Sequence, residues 1–447
     1  MKKIVLTFIL MTCGLTGQLA TAGAQSVANG APWTLNDCIQ YALDHNLSVQ
    51  QSALQVEQRE IELNTALNSR LPGVAASASQ NFSFGRGLTA DNTYANANTT
   101  NTGFNLGADM TLFNGLRTRN TIEMDRLNLK AATQDLEKMR DDIRVAVAQA
   151  YVQIVYNQEI LEVAQRQVEM DSLQVARLEA MQRTGKAASA DVAVQQATLA
   201  QSRVTAVQAA NNLQLARLEL AQLLELPSPE GFSVVIPEIR DIPALTGSPE
   251  AIYEEALGIK PSVKAEETRL ASAERGIDIA RAGYFPSLSL NGGLGTNYYT
   301  SSSLPATAFL TQLSNNFSQY VGLSLSVPIF SRMNNRNQVR SARVSYAAQQ
   351  VQLDQAKKQL YKEIQQAWFG AVAARSKYES SVQAEEAASQ SLSLMQAKYE
   401  NGKASVTEYN ETKNQYLKAA SDRAQARCEA LYQAGLLEFY RGKDIQL

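Results

Sequence analysis

Apolar residues recur every seven positions through a stretch from Leu116 to about Arg183 that contains neither proline nor glycine. The repeating positions are Leu129, Leu136, Ile143, Ile154, Leu161, Val168 and Val175. A seven-residue apolar repeat is typical of a coiled coil, and the one shift of four residues, bridged by Val147 and Ala150, is a stutter. The stretch therefore predicts a single helix of roughly 100 Å, at about 1.5 Å per residue.

A tight turn at Gly185 is predicted to reverse this helix, because the heptads resume after it. The resumed series is Val192, Leu199, Ala206, Leu213 and Leu220. The second half of the chain repeats the arrangement, with a helix from about Met333 to Glu400, a turn at Asn401-Gly402 and a return through Leu417 to Leu436. The sequence thus predicts two long antiparallel helical hairpins.

The two halves of the chain match at an offset of about 214 to 217 residues, which indicates an internal duplication. The matches, in order, are Ala42-Leu43 with Ala256-Leu257, Arg70-Leu71-Pro72 with Tyr284-Phe285-Pro286, Leu112-Phe113 with Ile329-Phe330, and Gly185-Lys186-Ala187 with Gly402-Lys403-Ala404. We therefore divide the chain into a first repeat over residues 25–225 and a second repeat over residues 249–447. Residues 226–248, which hold four of the eleven prolines, are predicted to link them.

Each repeat is predicted to open with a shorter helix and to continue with a β-hairpin. The helices are expected from Trp33 to Ser69 and from about Pro249 to Ala282, each ending ahead of a proline. After each helix, small or polar side chains alternate with apolar ones, which is the period of a strand. The hairpins are predicted over residues 74–114 and 287–330, the second around a polar loop from Ser301 to Asn316.

Four predicted strands per chain are too few to close a barrel alone, since closed membrane barrels need about eight or more. No later segment has the run of about 18 apolar residues that a spanning helix needs, so a membrane crossing would use the strands. Leu290 and Leu323 are then expected to face lipid, and Ser289 and Ser324 to face water. The predicted fold class is mainly α with a membrane β-barrel, a duplicated unit of long antiparallel coiled-coil helices plus two β-hairpins. Three copies would form a twelve-stranded barrel with room for a channel and an α-helical tunnel.

The N-terminus has the pattern of a secretory signal peptide, which we assign to residues 1–24. Two lysines follow the initiating methionine, and an apolar run from Ile4 to Met11 leads to the small residues Ala22-Gly23-Ala24. An alternative makes Cys13 a lipid-attachment cysteine, although Thr12 before it suits cleavage poorly. Both assignments predict an exported protein.

Composition and charge exclude several functional classes. The chain is 45% hydrophobic but only 7% aromatic, which favours long helices rich in small residues over a large globular core. A formal net charge of −2 argues against nucleic-acid binding through a basic field. His45 is the only histidine, which removes His-based metal sites and catalytic triads from consideration. No cofactor is predicted.

The chain is not predicted to be an enzyme. Gly185-Lys186 resembles the end of a phosphate-binding loop, but Ala187 stands where Ser or Thr is required. Cys38 and Cys428, the cysteines that follow the signal segment, are too few for a disulfide framework. We expect them to be small packed side chains, or alternatively to bridge the two ends of the chain.

Strand hairpins inside a duplicated frame of long helices, with the turns Gln182-Arg183-Thr184-Gly185 and Tyr399-Glu400-Asn401-Gly402, resemble the TolC family of outer-membrane efflux proteins. The resemblance implies a homotrimer in the cell outer membrane, with its helical part in the periplasm. It would serve as the passive exit channel of a tripartite efflux or type I secretion system. The implied partners are a periplasmic adaptor protein, an inner-membrane pump and outer-membrane lipid, with no nucleic acid. The alternative class is an exported coiled-coil structural protein or adhesin without a pore.

The resemblance also implies where such a channel narrows. The implied site residues are Glu408, Glu411 and Asp191 at the pore constriction, Gly185 and Gly402 in the tip turns, and Tyr399 in a latch that holds the tip closed. Glu408 and Glu411 lie three residues apart and therefore on one helical face. Ala404 replaces a family arginine of the same latch, so charge-based locking does not transfer to this chain. The cargo, whether drug, metal or polypeptide, stays open.

Overall fold

The computed structural model describes residues 32–88, 93–228, 231–236, 247–302 and 307–445. The predicted signal peptide, with Cys13, lies outside these ranges. The helices are α1 (Leu35–His45), α2 (Leu47–Asn68), α3 (Arg117–Arg183), α4 (Ser189–Leu223), α5 (Pro249–Leu257), α6 (Pro261–Arg281), α7 (Phe309–Asn315), α8 (Asn334–Glu400) and α9 (Val406–Tyr440). The strands are β1 (Gly73–Ser83), β2 (Arg86–Leu88), β3 (Tyr94–Asn96), β4 (Thr99–Asn114), β5 (Ser287–Ser301) and β6 (Ser318–Ser326). No helix in the described ranges combines the length and the apolar character needed to span a bilayer.

The two long helical hairpins have the same dimensions. α3 and α8 each contain 67 residues, and α4 and α9 each contain 35. Within each hairpin the two helices pack along one another. Predicted heptad positions such as Leu136, Ile143 and Ile154 of α3 are buried, as are Val192 and Leu199 of α4. The structure therefore confirms the two predicted coiled-coil hairpins.

The shorter helix of the first repeat is divided in two, which corrects the prediction of one continuous helix. The break falls at Asn46, whose backbone is extended. Its side-chain oxygen accepts a hydrogen bond from the Ser48 amide at 2.9 Å and so caps α2. Its side-chain nitrogen donates to the Leu223 carbonyl oxygen at 3.0 Å, which attaches the break to the end of α4.

The shorter helix of the second repeat is also divided, between α5 and α6. Pro261 occupies the first turn of α6, where a missing amide hydrogen costs nothing. Ahead of α1, the Asp37 amide donates to the Thr34 hydroxyl oxygen at 3.2 Å, and the Asp37 carboxylate accepts from the Thr34 amide at 3.0 Å. This capping box starts the helix where the sequence predicts. Both helix predictions are right in their outer limits and wrong in their continuity.

The main strands form a four-stranded antiparallel sheet in the order β1-β4-β5-β6. β1 with β4 and β5 with β6 are the two predicted hairpins, and the pairing of β4 with β5 joins the two repeats. β1 and β6 are the edges of this sheet. A second, shorter pair, β2 with β3, lies in the connection between β1 and β4 and was not predicted.

The two faces of the sheet differ in polarity, as the alternation predicts. Leu290 of β5 pairs with Leu323 of β6, and the neighbouring Ser289 pairs with Ser324. Because successive side chains of a strand point to opposite faces, the leucines share one face and the serines share the other. Leu323 is 67% exposed in the single chain, so the described part of the chain leaves it largely uncovered. A leucine face without cover is the surface expected to meet lipid.

The connection between β5 and β6 contains α7, where the sequence predicts only a polar loop. β6 begins at Ser318, opposite Gly295, so within the described ranges the rest of β5 has no strand partner on that side. There the Gln312 side chain accepts a hydrogen bond from the Tyr299 amide and donates one to the Tyr299 carbonyl oxygen, each at 2.9 Å. This is the bonding of a paired residue in an antiparallel ladder. α7 therefore closes the edge of β5 beyond β6.

Two clusters of buried apolar side chains hold the helices together. The larger cluster joins α1, α3, α4 and α9, and the smaller joins α5, α6, α8 and α9. Cys38 and Cys428 are buried free thiols within the larger cluster. The predicted packing role is therefore confirmed, and the alternative bridge is not formed. Burial raises the pKa of Cys38 to about 12 and that of Cys428 to about 11, so both thiols stay protonated at neutral pH.

Candidate functional site at the helical turns

Both helical hairpins reverse through the same backbone motif. Gly185 has a φ of +74° and Gly402 a φ of +70°, in the left-handed region that glycine adopts without steric cost. At the first turn the Gly185 amide donates to the Gln182 carbonyl oxygen at 2.9 Å, and the Lys186 amide donates to the Met181 carbonyl oxygen at 2.8 Å. These two bonds define a Schellman motif, which satisfies the last carbonyl groups of a helix.

The second turn makes the same pair of bonds. The Gly402 amide donates to the Tyr399 carbonyl oxygen at 3.0 Å, and the Lys403 amide donates to the Lys398 carbonyl oxygen at 2.8 Å. The structure thus places both predicted glycines at the reversals. Since the backbones agree, functional differences between the two turns arise from their side chains.

Ser405 and Glu408 form a capping box at the start of α9. The Glu408 amide donates to the Ser405 hydroxyl oxygen at 3.2 Å, and the Glu408 carboxylate accepts from the Ser405 amide and hydroxyl, each at 2.8 Å. These bonds satisfy amides that the first turn of a helix leaves free. The hydrogen bonds from the Ser405 amide and then its hydroxyl lower the pKa of Glu408. Glu408 is therefore charged and held beside the turn.

The first repeat lacks this cap. Ala188 precedes α4 and has no side-chain oxygen, and the Asp191 amide donates to the Ala188 carbonyl oxygen at 3.1 Å. The side chains of Asp191 and Glu411 are both exposed. The structure thus places Glu408 and Glu411 within the first two turns of α9, and Asp191 in the first turn of α4.

Tyr399 joins α8 to α3 next to the turns. Its hydroxyl oxygen accepts a hydrogen bond from Gln174 Nε2 at 2.6 Å. Its ring stacks on Tyr409, with 5.2 Å between the ring centroids, and the Arg177 guanidinium carbon lies 5.6 Å from the ring centroid. Burial raises the pKa of Tyr399 by more than the charge of Arg177 lowers it. Ala404, half-buried beyond the turn, adds no charge to these contacts.

A buried ion pair joins Asp171 of α3 to Lys413 of α9, and it is not among the predicted site residues. Their side chains are 1% and 0% exposed. The Asp171 carboxylate also accepts hydrogen bonds from Gln195 Nε2 at 3.2 Å and from the Ser202 hydroxyl, both on α4. A buried charge is tolerated when it is paired and its remaining hydrogen bonds are made, as they are here.

Asn410 extends these contacts. Its side-chain nitrogen donates to Gln195 Oε1 at 3.0 Å, and its side-chain oxygen accepts from Lys413 Nζ at 3.4 Å. We call Asp171, Gln195, Ser202, Asn410 and Lys413 the buried polar network. The network crosses from the first hairpin to the returning helix of the second, so it fixes how the hairpins pack near their turns.

The buried polar network occupies core positions that the apolar heptad series skips. Asp171 lies three residues after Val168, and Gln195 lies three residues after Val192. A coiled coil has two core positions per heptad, three or four residues apart, and both are usually apolar. Polar residues at the second core position of the heptads are the signal in the sequence that would have revealed the network.

A duplicated frame of long helical hairpins, attached to a two-faced sheet too small to close alone, defines an outer-membrane channel subunit of the efflux class. The sequence profile of the family described as "Outer membrane efflux protein" matches residues 38–225 and 252–438. The chain belongs to this family. The resemblance to the TolC family is thereby confirmed, and each repeat carries one segment of the match.

Individual relatives agree with this membership. The "Fusaric acid resistance protein FusA" of Burkholderia cepacia is 27% identical over 299 residues, which cover 64% of this chain and 54% of that protein. The match thus spans about half the length of FusA. "Protein CyaE" of Bordetella pertussis is 25% identical over 357 residues, which cover 78% of this chain and 71% of that protein.

Solved structures share the fold. The outer membrane protein VceC of Vibrio cholerae superposes with a TM-score of 0.75 at 20% identity, covering 92% of this chain and 97% of that chain. The CmeC outer membrane channel of Campylobacter jejuni superposes with a TM-score of 0.76 at 19% identity, covering 92% and 87%. Family and fold together confirm the predicted fold class, outer-membrane location and efflux function. They argue against a stalk or adhesin without a pore, since this is a family of channel proteins.

Proposed function

We propose that three copies of this chain form the exit channel of a tripartite efflux or type I secretion system. In this assembly the three sheets close into one twelve-stranded barrel in the outer membrane, and the helical hairpins form a tunnel in the periplasm. A periplasmic adaptor protein and an inner-membrane pump deliver cargo to the tunnel. The chain has no enzymatic activity in this proposal and conducts passively.

The open sheet is the observation that carries this proposal. β1 and β6 are edges, and backbone groups without partners are costly in lipid. Closure therefore requires β6 of one copy to pair with β1 of the next. Two copies would give eight strands, whose interior is filled by side chains, whereas three copies leave room for a channel.

We further propose that Glu408, Glu411 and Asp191 line the constriction of this channel. All three carboxylates are exposed beside the turns, and the capping box keeps Glu408 charged. Three copies of each would form acidic rings, which favour cations. In this proposal Gly185 and Gly402 set the turns, and the contacts of Tyr399 with α3 hold the tip closed.

Single-channel recordings in planar bilayers test the constriction. The double variant Glu408→Gln, Glu411→Gln should reduce cation preference, because it removes six charges from a trimer. Glutamine also fits the last position of a capping box, so the start of α9 is expected to stay folded. A preference equal to that of the unmodified channel would contradict the acidic ring.

A matched control is available on α2. Glu57 and Glu60 are exposed and also lie three residues apart, but they belong to a helix that ends at the sheet rather than at the turns. Glu57→Gln with Glu60→Gln removes the same number of charges and should leave the cation preference unchanged. The mass of the purified particle in mild detergent tests the trimer separately, and a monomer would contradict it.

The names of relatives point to more than one kind of cargo. One is a "Pyoverdine export outer membrane protein" of Pseudomonas putida, and another is a "Toxin and drug export protein A" of Aggregatibacter actinomycetemcomitans. We infer that cargo is selected by the pump rather than by this chain. Copurification of the pump and adaptor after crosslinking would identify the cargo class, and conduction that selects among cargoes without a pump would contradict the inference.

A further inference from the structure

The sheet meets the helices at four junctions that lie along one edge. α2 leads into β1, β4 leads into α3, α6 leads towards β5, and β6 leads towards α8. Because the strands are antiparallel in the order β1-β4-β5-β6, the starts of β1 and β5 lie beside the ends of β4 and β6. The family places the strands in the outer membrane and the helices in the periplasm, so this edge lies at the periplasmic surface of the membrane.

Every junction carries arginine, and none carries an acidic residue. The segments concerned are residues 69–73, 114–120, 281–287 and 326–343. We call Arg70, Arg117, Arg119, Arg281, Arg332 and Arg336 the arginine collar. All six side chains are exposed. Arg281 pairs with Asp278 at 3.1 Å, and the other five have no ion-pair partner within the described part of the chain. Five of the six collar arginines therefore lack an ion-pair partner in the described ranges, and the nearby acids are Asp278, which pairs with Arg281, and Asp109, opposite Gly73.

Exposed apolar side chains lie next to these arginines. Leu71 follows Arg70, Leu116 precedes Arg117, and Phe330 lies two residues before Arg332. Phe330 is 74% exposed and the adjacent Ile329 is 95% exposed, which is unusual for large apolar side chains facing only water. Cationic side chains beside apolar and aromatic ones are the composition of a bilayer interface.

Helix direction turns the arginine side chains towards the sheet. α3 and α8 both begin at the junctions, and in a helix the bond from Cα to Cβ tilts towards the N-terminus. Arg117, Arg119 and Arg336 therefore lean towards the membrane rather than along the tunnel. The positive end of each helix dipole lies at the same level and adds to the field.

We propose that the arginine collar binds the phosphate headgroups of anionic phospholipids in the periplasmic leaflet of the outer membrane. The guanidinium group pairs with phosphate through two parallel hydrogen bonds, which suits it to this ligand. The collar lies at the periplasmic edge of the sheet, so a lipid whose chains lie on the leucine face has its headgroup at the level of the collar. The inference rests on the outer-membrane location, and it depends neither on the trimer nor on the acidic constriction.

Native mass spectrometry of the purified full-length protein in detergent tests the collar. The protein is titrated with phosphatidylglycerol and, separately, with phosphatidylcholine, and bound lipids are counted per chain. The variant with Arg117, Arg119, Arg332 and Arg336 each replaced by Gln should bind phosphatidylglycerol at least about tenfold more weakly, since each basic group near an anionic surface contributes to binding. Binding of phosphatidylcholine should change little. Inorganic phosphate at the same concentration should not displace the lipid.

The control variant removes as many positive charges near the helical turns. Arg183, Lys186, Lys398 and Lys403 are exposed there, and their replacement by Gln should leave lipid binding unchanged. Equal losses in both variants would overturn the proposal, as would unchanged lipid binding in the collar variant. If the collar variant keeps its lipid but alters the ion selectivity of the pore, the arginines line the channel and the proposal is wrong.

A milder variant keeps the test decisive if the fourfold variant fails to fold. Arg119→Lys with Arg336→Lys retains the charge and loses the paired geometry of the guanidinium group. It should bind phosphatidylglycerol more weakly than the unmodified protein while conducting normally. Unchanged binding by this variant would contradict guanidinium recognition of phosphate. Because lipid is counted per chain, the result stands even if the oligomer is not a trimer.

Discussion

The two helical hairpins share a backbone but differ in how their returning helices begin. Both use a glycine Schellman turn, and both continue into helices of 35 residues. In the second hairpin Ser405 caps α9, whereas Ala188 of the first hairpin makes no side-chain bond to α4. Since the duplication, the backbone geometry of the turn has been retained in both hairpins, whereas the residues that cap the returning helices have diverged. The second turn is the more strongly fixed of the two.

A second difference lies in the contacts between the hairpins. Lys413 of α9 is fully buried against Asp171, whereas Gln196, the corresponding residue of α4, is exposed and bonds to Glu179 at 3.1 Å. The first hairpin therefore supplies the acid, and the second supplies the base. Two copies of one ancestral unit have become complementary, and variants at matched positions can separate what each copy does.

The largest effect is expected from Lys413→Met. This change leaves the buried carboxylate of Asp171 without its cation and should lower the free energy of unfolding by about 3–5 kcal/mol. Adding Asp171→Leu should recover most of that loss, because two apolar side chains can replace a buried ion pair. Denaturant titrations followed by helical circular dichroism give the comparison.

The matched position provides the control for this prediction. Gln196→Met should change the free energy of unfolding by no more than about 0.5 kcal/mol, since the side chain is exposed. If Lys413→Met costs as little as this, the ion pair does not hold the hairpins together. If the double variant is no more stable than Lys413→Met, the cost comes from packing rather than from the unpaired charge.

Gly185→Ala and Gly402→Ala should each cost about 1–2 kcal/mol, because a left-handed conformation is strained for residues with a Cβ atom. An added Cβ at either position meets no atom within 4 Å, so the cost is that of the backbone alone and should be equal at the two turns. Melting curves of both variants measure it. Gly276→Ala within α6 also meets no atom but has no positive φ, and it should instead stabilise the protein. Unequal losses at the two turns would show that they differ in backbone strain.

The smallest effect is expected at the caps. Ser405→Ala should lower the free energy of unfolding by about 1 kcal/mol, and Ala188→Ser should raise it by up to a similar amount, because it gives α4 the cap that α9 already has. Equilibrium unfolding of both variants measures the difference. A loss of stability in Ala188→Ser would mean that the first turn cannot accept the geometry of the second.

The contribution of the second cap should depend on pH. The capping box lowers the pKa of Glu408 from its ordinary value of 4.5, so the charged form stabilises the fold above that value. This stabilisation is lost as the pH falls through the lowered pKa. The difference in stability between the unmodified protein and Glu408→Gln, which removes the charge and keeps the cap geometry, should therefore shrink in acid. A difference that stays constant from pH 7 to about pH 3 would contradict a charged cap.

Long-range order in this chain could be predicted where one physical rule dominates. The heptads predicted the helical hairpins because an apolar face must be buried along the whole helix. Leu136 and Ile154 are buried accordingly. Alternation gave the strands and their two faces for the same reason. The capping box at the start of α9 was not predicted, although Ser405 and Glu408 stand at the required spacing.

Features that depend on contacts between distant segments could not be predicted. Asn46 breaks the first helix partly through a bond to Leu223, which is far away in the sequence. α7 forms against β5 because the Gln312 side chain finds an unpaired strand edge there. Lys413 is buried only because Asp171 is present on another helix. In each case the local sequence allows several conformations, and a partner elsewhere selects one.

The short length of β6 has a consequence for how the proposed assembly comes apart. β6 has nine residues, whereas β4 and β5 have 16 and 15. The seam between neighbouring subunits can therefore have at most nine residue pairs, as many as β5 with β6 but fewer than the 11 of β1 with β4 and the 15 of β4 with β5. α7 occupies the strand edge that a longer β6 would have used. The trimer should therefore dissociate between subunits. Each released subunit would keep its own strands paired and could insert into a membrane again.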